Sequence, residues 1–199
     1  VYKRQPEQAL SMLNTNLDLA ITDYVTVDFN AIIECVDLLG GVDITITDDE
    51  ASLMIGYMKE LNELTGHNST PPASGGTYTL DGVQACAYAR IRYGGGDDYR
   101  RTERQRTVLT AMMQKAQKSN ILTLNKLINA AFGDIQTSFS NTDLLALATK
   151  VFSYDIGDTT GFPYEKTTHK YDKIGDVVIP CDPVSYTHLR AHETRGNLV

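Results

Sequence analysis

FNAIIECVDLLGGVDITIT, residues 29–47, decides the fold class. Its first part sets Phe29, Ile32, Ile33, Val36 and Leu39 on one helical face and stops at Gly40-Gly41, because glycine tolerates the left-handed backbone that closes a helix. VDITIT then alternates apolar and polar side chains, the two-residue period of a half-buried strand. The same switch recurs on either side. Upstream, PEQALSMLNTNL (6–17) has apolar residues at helical spacing, and Asp18 to Ile21 leads into the β-branched and aromatic strand YVTVDF (24–29). Downstream, Asp48-Asp49-Glu50 opens a helix that runs to Leu64, where acids suit the positive end of the helix dipole and capping is their job.

GHNSTPPASGG (66–76) is turn-rich and is read as a mobile loop at the rim of a site, followed by a short strand TYTL (77–80). Asp81 to Ile91 reads as a helix, Gly94-Gly95-Gly96 breaks it, and Tyr99 to Lys118 reads as the next, with Val108, Leu109, Met112 and Met113 inward. Helices follow over 121–132 and 141–152, before a strand-like, turn-punctuated end that holds TTGFPYE and DVVIP. Alternating helices and strands predict an α/β fold, a mixed central sheet flanked by helices on both faces.

With 199 residues, 42% of them hydrophobic, the chain is long enough for one globular domain. Its formal net charge of -7 argues against a general electrostatic grip on nucleic acid or on an anionic membrane. No run of about 18 apolar residues spans a bilayer, and no secretory signal opens the chain. Cys35, Cys86 and Cys181 form no C-x-x-C pair and read as small buried hydrophobes. No P-loop, no G-x-S-x-G elbow and no paired histidines at metal spacing are present, and His67 and His169 read as surface residues. VYKRQ (1–5) and SYTHLRAHETRGNLV (185–199) resemble translated sequencing-library adapter. They are set aside as foreign, with both true termini expected to be missing.

The arginines carry the strongest functional signal. Of nine, at 4, 90, 92, 100, 101, 104, 106, 190 and 195, the six outside the suspect ends all fall within 90–106, a stretch without lysine. Between Tyr88 and Arg106 those six face only Asp97, Asp98 and Glu103, a local net of +3 in an acidic chain. Arginine offers a planar, permanent fork that matches two phosphate oxygens, so the cluster points to phosphate or carboxylate recognition. At about 100° per residue, Arg101 and Gln105 share the expected inward face of Val108 and Met112, with Arg104 at its edge. Arg100, Glu103 and Arg106 fall on a solvated face. An inward arginine needs a counter-ion and no excess of acids adjoins it in sequence, so a ligand phosphate is the economical partner. The structural alternative is that Asp97 or Asp98 caps the helix and pairs with Arg101. Arg90 and Arg92, two residues apart beside the glycine run, face the same way if the helix unwinds there.

VDFNAIIECVDLLGGVDI, LDGVQACAYARIR and DDYRRTERQRTVLTAM, in this order and spacing, resemble the second half of the LytR-CpsA-Psr domain. FPYEKTTHKYDKIGDVVIP resembles the carboxyl-terminal extension of Firmicute-like members. The resemblance implies a partial LytR-CpsA-Psr α-β-α domain over 6–181, truncated at both ends. It further implies an extracellular phosphotransferase, anchored to a Gram-positive-type cytoplasmic membrane by a missing N-terminal segment. Such an enzyme moves an anionic glycopolymer from a polyprenyl diphosphate carrier to peptidoglycan. By this resemblance Arg90, Arg92, Arg101 and Gln105 are the catalytic residues. The same four with Arg104 hold the diphosphate. The implied Mg2+ takes its ligands from a missing N-terminal half, so no metal ligand is assigned here. Fixed guanidinium groups would stabilise charge developing on the leaving phosphate. The alternative is a non-catalytic module that binds polyprenyl phosphate or an anionic polymer for regulation. Nucleic-acid binding through the arginines is disfavoured by the acidic total.

Overall fold

The computed structural model describes residues 5–92, 97–120, 122–127, 135–154, 157, 166–171 and 175–181. In chain order the elements are α1 (Gln5–Leu17), β1 (Val25–Val27), α2 (Phe29–Leu38), β2 (Val42–Ile46), α3 (Asp48–Thr65), β3 (Gly76–Leu80) and α4 (Gly82–Arg90). There follow α5 (Asp97–Lys118), α6 (122–127), β4 (Ile135–Thr137), α7 (Asn141–Thr149), a 3-10 turn at Val151–Ser153, β5 (Lys166–Tyr171) and β6 (Gly175–Pro180). Contacts divide the chain into a larger unit, 25–159, and a smaller one formed by 1–24 and 160–199.

In the larger unit local capping sets the element boundaries. Asp28 caps α2, its Oδ1 accepting from the Ala31 N–H at 2.8 Å. Gly40 and Gly41 then take φ of 76° and 88°. Thr47 and Glu50 form a reciprocal capping box at the start of α3, and Asp81 and Gln84 form another on α4. The alternation of β2 buries Val42, Ile44 and Ile46 and exposes Asp43 and Thr45. β2 pairs antiparallel with β3, from Val42 opposite Leu80 to Ile46 opposite Gly76. β1 pairs antiparallel with β4, a strand the sequence did not announce. The mixture of helices and strands is the expected α/β class. Its strands, among the described residues, pair in three two-stranded antiparallel ladders.

Helix α4 lies at the centre of the core and packs against α2, α3 and α5. It is buried almost all round, at Gly82, Val83, Ala85, Cys86, Ala87 and Tyr88, and its small residues let three helices approach it at once. Ile33 and Val36 of α2, Met54, Met58 and Leu61 of α3, Leu80, Val108 and Ala111 complete the core. Cys86 is buried as expected, whereas Cys35 is half-buried and Cys181 exposed. The 66–75 loop is tied down, against the expected mobility. Asn62 bonds both ways with Ser69, Gln84 Nε2 donates to the Thr70 carbonyl at 2.7 Å, and the Gly75 N–H donates to Asp48 Oδ1 at 2.7 Å.

The expected inward face of α5 is corrected. Val108 is buried, but Leu109 is 62% exposed and Met112 and Met113 are only half-buried. The helix turns Arg104, Val108 and Ala111, spaced i, i+4 and i+7, toward the core. Alanine at 111 lets α5 come close to β2, and Lys115 reaches Asp43 at 3.2 Å. Of the helix expected over 121–132, residues 122–127 are helical and the remainder lies outside the described residues. The helix expected over 141–152 stops at Thr149 and resumes as the 3-10 turn.

In the smaller unit, Asn14 holds the chain leaving α1 through two 2.8 Å hydrogen bonds with the backbone of Ile21. β5 and β6 form an antiparallel hairpin from Lys166 opposite Pro180 to Tyr171 opposite Gly175. DVVIP falls within β6, whereas TTGFPYE and the suspect ends at 1–4 and 185–199 lie outside the described residues. No described helix is long and apolar enough to cross a membrane.

Candidate functional site: arginines of two helices held by glutamates

Arginines at the end of α4 and within α5 meet glutamates of α3, Glu60 lying 30 residues upstream of Arg90 and Glu50 lying 54 upstream of Arg104. Arg104 is buried, at 8% exposure. Its Nε donates to Glu50 Oε1 at 2.8 Å and its Nη1 to the Ile91 carbonyl at 3.3 Å. Glu50 Oε2 meanwhile accepts from the Thr47 N–H at 3.0 Å. One carboxylate thus caps α3 and neutralises an arginine of α5.

Arg90, at the end of α4, donates from Nη2 to both oxygens of Glu60, at 3.1 and 3.2 Å. Its guanidinium sits 4.7 Å from the centre of the Phe29 ring and 5.6 Å from that of Tyr57, within cation–π range. Nη1 of Arg90 is buried and meets no hydrogen-bond acceptor. The two pairs are unequal. The Glu60 side chain is 52% exposed, so its bond to Arg90 contributes no more than about 1 kcal/mol. The Glu50–Arg104 pair is shielded from water, with side chains 16% and 9% exposed. Glu50 and Glu60 are ten residues apart on α3, roughly 15 Å of helix, so Arg90 and Arg104 are held at separate stations.

Of the remaining expected site residues, Arg92 is exposed and Arg101 half-buried. Gln105 is exposed, which corrects its expected inward position and follows from the rotation that buries Arg104 instead. Arg100 and Glu103 are exposed as expected, and Arg106 is half-buried. The Gly94–Gly96 run and the side chains of Asp97 and Asp98 lie outside the described residues. Glu50 and Glu60, both on α3, are the counter-ions of Arg104 and Arg90. TDDE over 47–50 marks Glu50 as a capping residue, but nothing in the sequence links it to residue 104.

Between α3 and α5 runs an open groove of about 830 Å3, lined among others by Asp49, Glu50, Tyr88, Arg100, Glu103 and Arg104. No residue of the 66–75 loop lines this groove. Burial, with the nearby charge of Glu50 adding to it, pushes the Tyr88 phenol up to about 12. Since an unfolded tyrosine titrates near 10, stability is whole below about pH 10 and is lost as the pH rises toward about 12. Tyr88→Phe is therefore expected to flatten the alkaline loss of stability, read from urea unfolding at about pH 9 and about pH 11. An unchanged alkaline slope contradicts it. Burial likewise pushes the Cys86 thiol up to about 11. His67 is exposed beside Thr65, and His169 is exposed, both as expected.

Among the described residues no three His, Cys, Asp or Glu side chains gather around a possible ion. The magnesium that the family resemblance implies has no ligand set in these residues, and no step below passes through it.

The larger unit is thus an α/β core in which arginines of α4 and α5 are braced by glutamates of α3. The chain belongs to the LytR-CpsA-Psr family: the family model described as LytR_cpsA_psr family matches residues 4–172. It is 28% identical over 134 residues to biofilm regulatory protein A of Streptococcus mutans, covering 66% of this chain and 31% of that protein. It is 27% identical over 150 residues to the polyisoprenyl-teichoic acid–peptidoglycan teichoic acid transferase TagV of Bacillus subtilis, covering 71% of this chain and 34% of that one. The chain thus spans about a third of the length of these relatives. Its fold matches the crystal structure of Bacillus subtilis TagV with a TM-score of 0.66 at 21% identity, over 95% of this chain and 69% of that one.

Proposed function

We propose that the intact protein is a phosphotransferase that moves an anionic glycopolymer from a polyprenyl diphosphate carrier to peptidoglycan. It works on the outer face of a Gram-positive-type cytoplasmic membrane, anchored by sequence beyond these residues. The observation that carries the reading is the confinement of six arginines to 90–106 in a chain of this family, one relative of which is named a teichoic acid transferase. Arg90, Arg92, Arg101 and Gln105 are proposed to meet the diphosphate. Arg90 can exchange partners, since its bond to Glu60 is half-exposed and weak, and a phosphate offers the same fork a stronger, charge-assisted acceptor. When an acceptor hydroxyl attacks the phosphorus that bears the polymer, polyprenyl phosphate departs with growing negative charge. Fixed guanidinium groups stabilise that charge without reorganising. Magnesium belongs to the same proposal, held by carboxylates outside these residues.

Arg101→Lys in the full-length parent is expected to lower transfer on the order of a hundredfold, because lysine keeps the charge and loses the planar fork. A transfer rate within about twofold of the unaltered enzyme overturns the assignment. A second reading, a regulatory module that binds polyprenyl phosphate or an anionic polymer without chemistry, is favoured by the name of the Streptococcus mutans relative. Binding of carrier with no transfer by the full-length parent would select it.

A further inference from the structure

Arg104 differs from the other arginines of the segment in being buried, and it bonds Glu50 on one side and the Ile91 carbonyl on the other. We infer that Arg104 is a positioning residue. It fastens the Ile91–Arg92 peptide to α3 and α5, so that Arg92 is presented to a diphosphate, and does not touch the diphosphate itself. The inference rests on the proposed reading of this segment as the diphosphate site, and it replaces the direct contact expected of Arg104 from sequence.

Three observations carry it. The Ile91 carbonyl that accepts from Arg104 Nη1 lies in the same planar unit as the Arg92 N–H. Fixing that oxygen fixes the plane from which Arg92 departs. Ile91 itself is fully buried, while Arg92, one residue on, is exposed, so the chain leaves the core at this peptide. The other end of the guanidinium is anchored on Glu50, whose second oxygen is already spent on the Thr47 N–H. The result is a continuous chain of bonds from the start of α3, through α5, to the end of α4. Taking Arg104 away to bind a ligand would strand a shielded carboxylate, whereas taking Arg90 from half-exposed Glu60 strands nothing.

The competing role predicts the opposite sign for one substitution. Glu50→Gln keeps the capping box, since the single amide oxygen of glutamine serves at that position, and replaces the carboxylate oxygen that accepts from Arg104 with an amide nitrogen that cannot accept. If Arg104 contacted the ligand, freeing it from a carboxylate would strengthen binding. If it positions Arg92, binding weakens. The experiment is calorimetric titration of the whole chain with inorganic pyrophosphate, comparing the unaltered protein, Arg92→Ala, Glu50→Gln and their double variant, each checked for its fold by circular dichroism. The expected result is about tenfold weaker binding in Glu50→Gln, with the double variant no weaker than Arg92→Ala alone. Equal or tighter binding in Glu50→Gln, beside an unaltered chain whose binding needs Arg92, overturns the positioning role and leaves the diphosphate reading standing. Pyrophosphate that fails to bind the folded, unaltered chain overturns both. Should Glu50→Gln not fold, the unaltered chain answers by NMR. The Arg104 Nε–H resonance is expected to stay in place at saturating pyrophosphate while the Arg92 resonances move, and movement of the Arg104 signal overturns the inference.

Discussion

Glu50→Ala is expected to lower the stability of the chain by about 3–5 kcal/mol, the range for removing one partner of a shielded ion pair. The magnitude follows from what remains behind. Arg104 stays 9% exposed in its side chain, keeps its bond to the Ile91 carbonyl, and loses the carboxylate that pairs with it among the described residues. The Thr47 capping box loses its second half at the same time. Against a total stability of about 5–15 kcal/mol for a typical domain, such a loss approaches global unfolding. Removing both charges, in Glu50→Ala with Arg104→Met, is expected to restore much of it, because apolar replacements of buried pairs cost little. Exposed Glu103→Ala is the control and should stay within about 0.5 kcal/mol. Urea unfolding measures all three. A loss below about 1 kcal/mol in Glu50→Ala would show that water reaches Arg104.

Gly82→Ala is expected to cost about 2–3 kcal/mol, although alanine is the better helix former. A methyl group there would stand 2.3 Å from the Ile33 carbonyl oxygen and 2.7 Å from the Ile33 Cα. These are backbone atoms that cannot rotate aside, so α2 and α4 must separate. Separation also strains the 2.7 Å bond from the Gly82 N–H to Asp37 Oδ1. Overpacking of this kind exceeds the helix-propensity gain of at most about 1 kcal/mol. Gly56 in α3 is the internal comparison: a methyl there meets nothing within 4 Å, and Gly56→Ala should stabilise by up to about 1 kcal/mol. Thermal melts of the two variants should therefore shift in opposite directions. A common direction would contradict the close approach of α2 and α4.

Local chemistry was legible in the sequence and long-range pairing was not. Thr47 with Glu50, Asp81 with Gln84, and Gly40-Gly41 each speak across a few residues, and the helices and strands they delimit form where read. The family, too, was readable from YARIR and DYRRTERQR. The facing of α5 was misread because Leu109, Met112 and Met113 suggest an apolar stripe, while the buried charge of Arg104 depends on a carboxylate 54 residues away. Arg90 posed the same difficulty, with Glu60 30 residues upstream and two aromatic rings from α2 and α3 around it. Helical periodicity ranks faces by hydropathy and cannot see a counter-ion on another helix. Gln105 followed Arg101 in the sequence reading and parts from it in the structure for that reason.

The central claim is the proposal that this segment holds a diphosphate. Calorimetric titration of the chain with a short polyprenyl diphosphate, with and without Arg101→Ala, tests it most directly. The account predicts saturable binding that Arg101→Ala weakens by at least about tenfold, the cost of one good charge-assisted contact. Binding of equal strength in both proteins, or none by the folded chain, would contradict it.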